Sequence, residues 1–109
     1  MSKKDPHKAI DYIIANGGKF AQAKAQRIYL EEFRKSKKAL LMAQSDAKTA
    51  TEREQYAYGH SEYLELLEGL RSAVEVEEKL RWDLIAAQAR VEVWRSEEAT
   101  ARAEGKATQ

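Results

Sequence analysis

Cysteine is absent from this chain, proline occurs once and glycine five times. Without cysteine there are no disulfide bonds and no thiolate chemistry, which is compatible with a reducing compartment. Nothing in the sequence resembles a signal peptide, and no apolar run is long enough to span a membrane. The formal net charge of +1 is also too small for a dedicated nucleic-acid binder. We therefore expect a protein that does not enter a membrane.

The sequence motifs of catalysis are missing as well. There is no Walker loop, dinucleotide fingerprint or nucleophile elbow. The two histidines, His7 and His60, share no metal-ligand spacing with each other. Glutamates are numerous, but a thin helical rod offers no concave pocket that would hold two of them for acid–base catalysis. We expect a protein that is not an enzyme, with no catalytic residue, no cofactor and no metal.

What the chain does contain is a long segment with helical periodicity. Between Ser61 and Gly105 there is no proline and one glycine, and apolar residues recur in steps of four and three. Such a pattern needs another helix to cover it, as in a coiled coil. At about 1.5 Å per residue the helix would span roughly 65 Å, which predicts an elongated all-α protein. The residues of this α3 seam, as we call it, are Leu66, Leu70, Ala73, Glu77, Leu80, Leu84, Ala87, Val91 and Trp94.

Local start and stop signals divide the rest of the chain. Asp5-Pro6 is typical of a helix N-cap and first turn, and Asn16-Gly17-Gly18 is typical of a helix end. Capping boxes begin at Thr49 and Thr51, and Gly59 is expected to end the short helix that follows, with Ser61 capping the long one. The sequence thus predicts a single helical domain over residues 1–109. Its elements are a flexible tail (1–5), a short helix (6–16), a helix (19–47), a short helix (52–58), a long helix (61–104) and a frayed tail (105–109).

The predicted second helix and the start of the long helix carry opposite charges. Residues 19–48 hold eight Lys/Arg and three Asp/Glu, whereas residues 49–80 hold three Lys/Arg and eight Glu. An antiparallel hairpin turning around residues 48–60 would bring these charges together, although exposed pairs contribute under about 1 kcal/mol each. The core face predicted for the second helix consists of Tyr29, Phe33, Ser36, Leu40, Ala43 and Ala47.

A second apolar stripe lies roughly opposite the α3 seam, and one partner helix cannot cover both sides. We expect it to be a self-association surface that completes a helical bundle, with a dimer favoured among homo-oligomers. The alternative is cover from within the chain by Ile10, Ile13 and Ile14. The candidate oligomer interface consists of Trp82, Ala86, Ala89, Val93 and, at the end of the seam, Trp94.

Basic residues of the second helix fall on one face. A basic strip can follow a phosphate backbone or bind an acidic partner. The alternative is a solvated face that is partly neutralised by the acidic arm. The residues of this candidate face are Lys24, Arg27, Arg34, Lys35 and Lys38.

Two further features leave alternatives open. Glu77 falls on the α3 seam, where it can fix the register of the helices or extend to the edge and meet Lys35 or Lys37. A cluster of aromatic residues at the predicted turn can anchor a partner or simply pack the turn. This cluster consists of Tyr56, Tyr58, His60 and Tyr63.

Two segments carry a family resemblance, KFAQAKAQRIYLEEFRKSKKALLM from Lys19 and EYLELLEGLRSAVEVEEKLRWDLIAAQARVEVWRSEEATARA from Glu62. They resemble small helical proteins encoded by proteobacterial tailed phages and prophages, over about residues 19–103. The resemblance implies a non-enzymatic accessory protein in the cytoplasm of the host cell, acting in phage DNA metabolism beside recombination proteins or against host nucleases. It supplies no catalytic residue and leaves residues 1–18 unassigned.

Two functions follow from these features. The first is an oligomeric helical rod that binds nucleic acid or a recombination protein through the basic face. The second is a protein-only interaction module, such as an inhibitor of a host enzyme or an assembly scaffold, that works through the Trp82 stripe or the tyrosine-rich turn.

Overall fold

The computed structural model describes residues 6–107, which form three α-helices and no β-strand. The helices are α1 (Pro6–Gln44), α2 (Ala50–Gly59) and α3 (Ser61–Ala107). The predicted all-α class and the very long C-terminal helix are confirmed. The predicted tail over 1–5, with the proposed cap at Asp5, lies outside the described residues, as do residues 108–109. The rest of the predicted frayed tail, 105–107, belongs to α3.

The predicted helix end at Asn16-Gly17-Gly18 is wrong, because α1 continues through it. Neither glycine has a positive φ, and the Asn16 side chain donates a hydrogen bond to the carbonyl of Tyr12 at 2.8 Å, within the helix. Each glycine costs a helix about 1 kcal/mol relative to alanine, which tertiary packing can offset. The predicted helices over 6–16 and 19–47 are therefore one helix of 39 residues that ends at Gln44.

Both ends of α2 are set by capping residues. Thr49 is the N-cap, since its hydroxyl accepts a hydrogen bond from the Glu52 N–H at 3.2 Å. The helix spans ten residues instead of the predicted 52–58 and ends at Gly59 as expected. The cap of α3 is His60 and not Ser61, because the His60 Nδ1 accepts a hydrogen bond from the Glu62 N–H at 3.1 Å.

The described chain divides into two compact units, where the sequence predicted one domain. The first unit consists of residues 6–20 of α1 and 79–107 of α3, and the second of residues 21–78. Each unit is described below by itself.

The core of the second unit lies where its three helices meet. Leu41 from α1 and Ala57 from α2 are fully buried, and Tyr63 from α3 is 8% exposed. Met42 and Leu67 pack against this cluster. The ion pairs Arg27–Glu77 and Lys37–Glu62 join α1 to α3 of this unit in antiparallel order, as the predicted hairpin requires.

The α3 seam is the protected face of its helix. All nine of its residues are buried or half-buried, with Ala87 at 0% and Glu77 at 2% exposure. The predicted pattern of steps of four and three is therefore confirmed as the pattern of burial.

The core face predicted for the second helix is wrong at four of its six residues, since only Phe33 and Ala47 are half-buried. Tyr29 is 60% exposed and Leu40 is 57% exposed. The protected residues recur one or two positions away in the same heptad steps, and two of them, Arg27 and Lys37, are charged and pair with carboxylates of α3. A search for the most apolar stripe therefore selects the wrong face. In the second unit the protected α1 residues in these heptad steps are Ala23, Arg27, Leu30, Arg34, Lys37 and Leu41, and in the first they are Ala9, Ile13, Asn16 and Phe20.

Adjacent leucines test this assignment of the α1 face. Leu41→Ala is expected to lower the free energy of unfolding by about 2–5 kcal/mol, because it leaves a cavity in the core. Leu40→Ala removes the same atoms from an exposed position and is expected to change it by less than about 0.5 kcal/mol. Urea denaturation followed by circular dichroism measures both. Equal losses in the two variants would contradict the assignment.

Candidate interaction surfaces

Glu77 enters the interface between α1 and α3 of the second unit with its side chain only 3% exposed. The guanidinium of Arg27 donates to both carboxylate oxygens, with 3.2 Å between Nη2 and Oε2, and also donates to Glu31 at 3.0 Å. Glu77 therefore stays on the α3 seam and does not extend to its edge. It pairs there with Arg27 and not with Lys35 or Lys37. The hydrogen bonds with Glu77, followed by those with Glu31, raise the pKa of Arg27.

Ion pairing breaks up the predicted basic face. Arg27 is bound to Glu77 in the helix interface, and Lys35 pairs with Glu32 at 3.4 Å. Lys24 is exposed. The structure thus does not present the five basic residues as one continuous strip.

Three of the basic residues instead converge on two tyrosines. Arg34, Lys35 and Lys38 of α1 line a hollow of about 320 Å³ together with Tyr58 and Tyr63. The Lys38 Nζ lies 4.8 Å from the centre of the Tyr58 ring and 3.8 Å from a carboxylate oxygen of Glu54. This hollow, which we call the basic hollow, joins two features that the sequence predicted separately.

The rings of the predicted turn cluster pack against each other in pairs. Tyr58 and Tyr63 meet edge to face at 5.3 Å between ring centres, and Tyr56 and His60 do so at 5.6 Å. Tyr63 belongs to the core, whereas Tyr56 and Tyr58 remain 41% and 44% exposed. Packing of the turn is therefore observed, with two ring surfaces still accessible.

The predicted second stripe of α3 is exposed in the first unit. Trp82 is 63% and Val93 is 56% exposed, and Ala86 and Ala89 between them are exposed as well. Trp94 is half-buried on the α3 seam and does not share this surface. We call the four exposed residues the Trp82 surface.

Cover from the isoleucines of α1 is not what the first unit shows. Ile14 is 76% and Ile10 is 39% exposed, while Ile13 is half-buried on the α1 face described above. The α1 residue that reaches toward α3 is Tyr12, whose hydroxyl donates to Asp83 at 3.2 Å. The alternative of intramolecular cover for Trp82 therefore finds no support.

Asp83 is held in its charged form. Lys79 donates to it at 2.8 Å, and this hydrogen bond is the main reason that the pKa of Asp83 is lowered. Burial is the first cause that raises the pKa of Tyr12, followed by the charge of Asp83. Tyr12, Asp83, Ala86 and Arg90 line a shallow hollow of about 270 Å³ beside the Trp82 surface.

One feature of the second unit was not predicted from the sequence. A largely apolar groove of about 390 Å³ opens between α1 and α3, where small residues leave the helices without side-chain cover. The sequence feature that could have predicted this groove is the presence of small residues in both α1 and α3, at positions that face each other only once the hairpin forms. Its lining consists of Ala23, Gln26, Leu30, Gly69, Ser72, Ala73 and Val76.

Comparisons with protein-family models, with curated proteins and with solved structures found no match. Within residues 6–107 no helix is both long and apolar enough to cross a membrane. The same residues contain no group of three or more potential metal ligands.

The Lys37–Glu62 pair of the second unit predicts a pH dependence. Lys37 donates to Glu62 at 2.5 Å, and this hydrogen bond lowers the pKa of Glu62 from its ordinary value of 4.5. The stability from this pair is fully present above the unfolded-state pKa and is lost as pH falls through the lower folded-state pKa. In a carboxyl NMR titration, Lys37→Met is expected to raise the midpoint of Glu62 toward 4.5.

Lys35→Met is the matched control, because it removes the same charge from α1 while Lys35 pairs with Glu32 instead. It is expected to leave the Glu62 midpoint in place. An unchanged midpoint in Lys37→Met would contradict the role assigned to this pair.

Proposed function

We propose that this protein is a non-enzymatic helical interaction module that self-associates through the Trp82 surface and acts by binding protein partners. The observation that carries the proposal is that Trp82 is 63% exposed at one end of an uncharged stripe. Exposed tryptophan is enriched at the centres of protein interfaces and contributes strongly to binding there. Scattered single apolar residues need no such explanation, but a continuous stripe does.

The spacing of the stripe supports a second copy of the chain as its occupant. Its residues are spaced by four, three and four positions, so they follow one face of α3. If two copies pack antiparallel about a two-fold axis, Trp82 lies opposite Val93 and Ala86 opposite Ala89. Large side chains then meet at the ends while small ones allow close approach in the middle. A self-complementary patch of this kind closes a dimer, which is the oligomer we propose.

The biological setting of the proposal comes from the resemblance to phage-encoded proteins. We propose an accessory role in phage DNA metabolism in the host cytoplasm, through contact with a recombination protein or a host nuclease. The pairing of Arg27 and Lys35 with carboxylates favours protein binding over a long nucleic-acid track on α1. An inhibitor of a host enzyme or an assembly scaffold is consistent with the same surface.

Substitution at the Trp82 surface tests self-association. Light scattering coupled to size-exclusion chromatography is expected to give a dimer for the wild type at micromolar concentration. Trp82→Glu is expected to weaken association by about tenfold or more, because it places a charge at the apolar contact. The control is Leu64→Glu, which adds the same charge at a 51% exposed leucine of the second unit.

A wild-type monomer, or equal dissociation of both variants, would contradict the proposal. Circular dichroism of each variant checks that the helices are retained. Affinity capture from phage-infected cells with the same two variants then asks whether partner binding also depends on Trp82.

A further inference from the structure

The basic hollow of the second unit contains an arginine without a carboxylate partner. Arg34 is half-buried on the protected face of α1. Within residues 6–107 no ion pair or hydrogen bond engages its side chain. A guanidinium carries five N–H donors in a fixed planar arrangement and stays charged at any physiological pH. In this hollow it is therefore a strong donor group with no acceptor.

The contrast with Arg27 shows what Arg34 lacks. The two arginines are seven residues apart, so they occupy equivalent positions one heptad apart on α1. Arg27 is neutralised by Glu77 and Glu31, whereas no acidic residue lines the hollow around Arg34. At the same heptad position, the protein thus neutralises the arginine with its own carboxylates in one heptad and does not do so in the next.

The other lining residues reinforce this chemistry. Lys35 and Lys38 add two cations, and Tyr58 and Tyr63 add hydroxyl groups. The carboxylates nearby, Glu32 and Glu54, do not line the hollow and pair with the two lysines at 3.4 and 3.8 Å. Hydrogen bonding with Tyr58 is the first cause that raises the pKa of Lys38 above its ordinary value of 10.5. The hollow thus presents an excess of positive charge, and its hydrogen-bond donors come from three helices.

We propose that the basic hollow is a binding site for a phosphate group, with Arg34 as its anchor. A phosphate offers more acceptor oxygens than a carboxylate and matches the planar donor pair of an arginine, while lysines at its edge add charge. The hollow is an open depression, so that the phosphate can be carried by a larger ligand. Tyr58, which is 44% exposed, provides an aromatic surface for a base, which points to a nucleotide or a single strand of nucleic acid. This site does not rest on the proposed self-association.

Isothermal titration calorimetry with inorganic phosphate, a mononucleotide and a short single-stranded oligothymidylate tests the site, all at low salt. Arg34→Gln is expected to weaken phosphate binding by about tenfold or more, because a charge-assisted bidentate contact is lost. Arg34→Lys keeps the charge but loses the planar arrangement and is expected to fall between wild type and Arg34→Gln. Tighter binding of the oligonucleotide than of inorganic phosphate would indicate that the site takes a phosphate of a nucleic-acid strand. Equal binding of the two would indicate that the site takes free phosphate.

The matched control is Arg71→Gln, which removes the same charge from α3 of the same unit. Arg71 pairs with Glu68 and Glu75 on an exposed face, so its loss is expected to leave phosphate binding within about twofold of the wild type. Circular dichroism verifies that both variants fold.

Three outcomes would overturn the site. These are no binding of any phosphate-bearing probe, equal loss of binding in Arg34→Gln and Arg71→Gln, or Arg34-dependent binding of a poly-glutamate peptide without binding of phosphate. Repeating the titration in the Trp82→Glu variant separates the two proposals, because the site is expected to bind phosphate whether or not the chain self-associates.

Discussion

A carboxylate buried on the α3 seam constrains the pairing of the helices in the second unit. Glu77 is only 2% exposed, and a charge withdrawn from water in this way destabilises the fold unless a partner meets it with good geometry. Arg27 is that partner. Leu41 and Tyr63, which belong to one buried cluster, each lie fourteen residues, or two heptads, from this pair along their own helices. The ion pair and the core cluster therefore specify the same register of α1 on α3.

The surfaces available for binding follow from that register. With Arg27 committed to the interface, the protected face of α1 is fixed, and Tyr29 and Leu40 are left toward solvent. The same placement brings Arg34 and Lys38 beside Tyr58, where the charge is not neutralised within the lining. In the first unit, burial of the seam residues Leu84 and Ala87 leaves Trp82 on the exposed side of α3.

The sequence was informative where one physical signal dominated. The α3 seam could be predicted because its residues are nearly all apolar at regular heptad spacing. The corresponding face of α1 could not, since Arg27 and Lys37 look like solvent-exposed residues until their partners on α3 are known. The glycines at 17 and 18 led to a wrong prediction of a helix end for a related reason. Local helix-ending preferences of about 1 kcal/mol per residue are smaller than the free energy of packing along a long helix.

Predictions about the binding surfaces divide in the same way. The Trp82 stripe is a property of one helix and was visible in its periodicity. The basic hollow combines α1 side chains with tyrosines of α2 and α3 that are twenty or more residues away in sequence, so it depends on the hairpin being formed. Arg27 has a carboxylate partner on the facing helix and Arg34 has none, and this difference depends on the position of a single glutamate.

A double-mutant cycle on Arg27 and Glu77 tests most directly the claim that this pair sets the interface. Arg27→Met and Glu77→Leu are each expected to lower the free energy of unfolding, since each removes one half of this ion pair and leaves the other charge in the interface. The double variant is expected to be more stable than either single variant, because two apolar side chains can replace the pair. Strictly additive losses in the double variant would contradict the account.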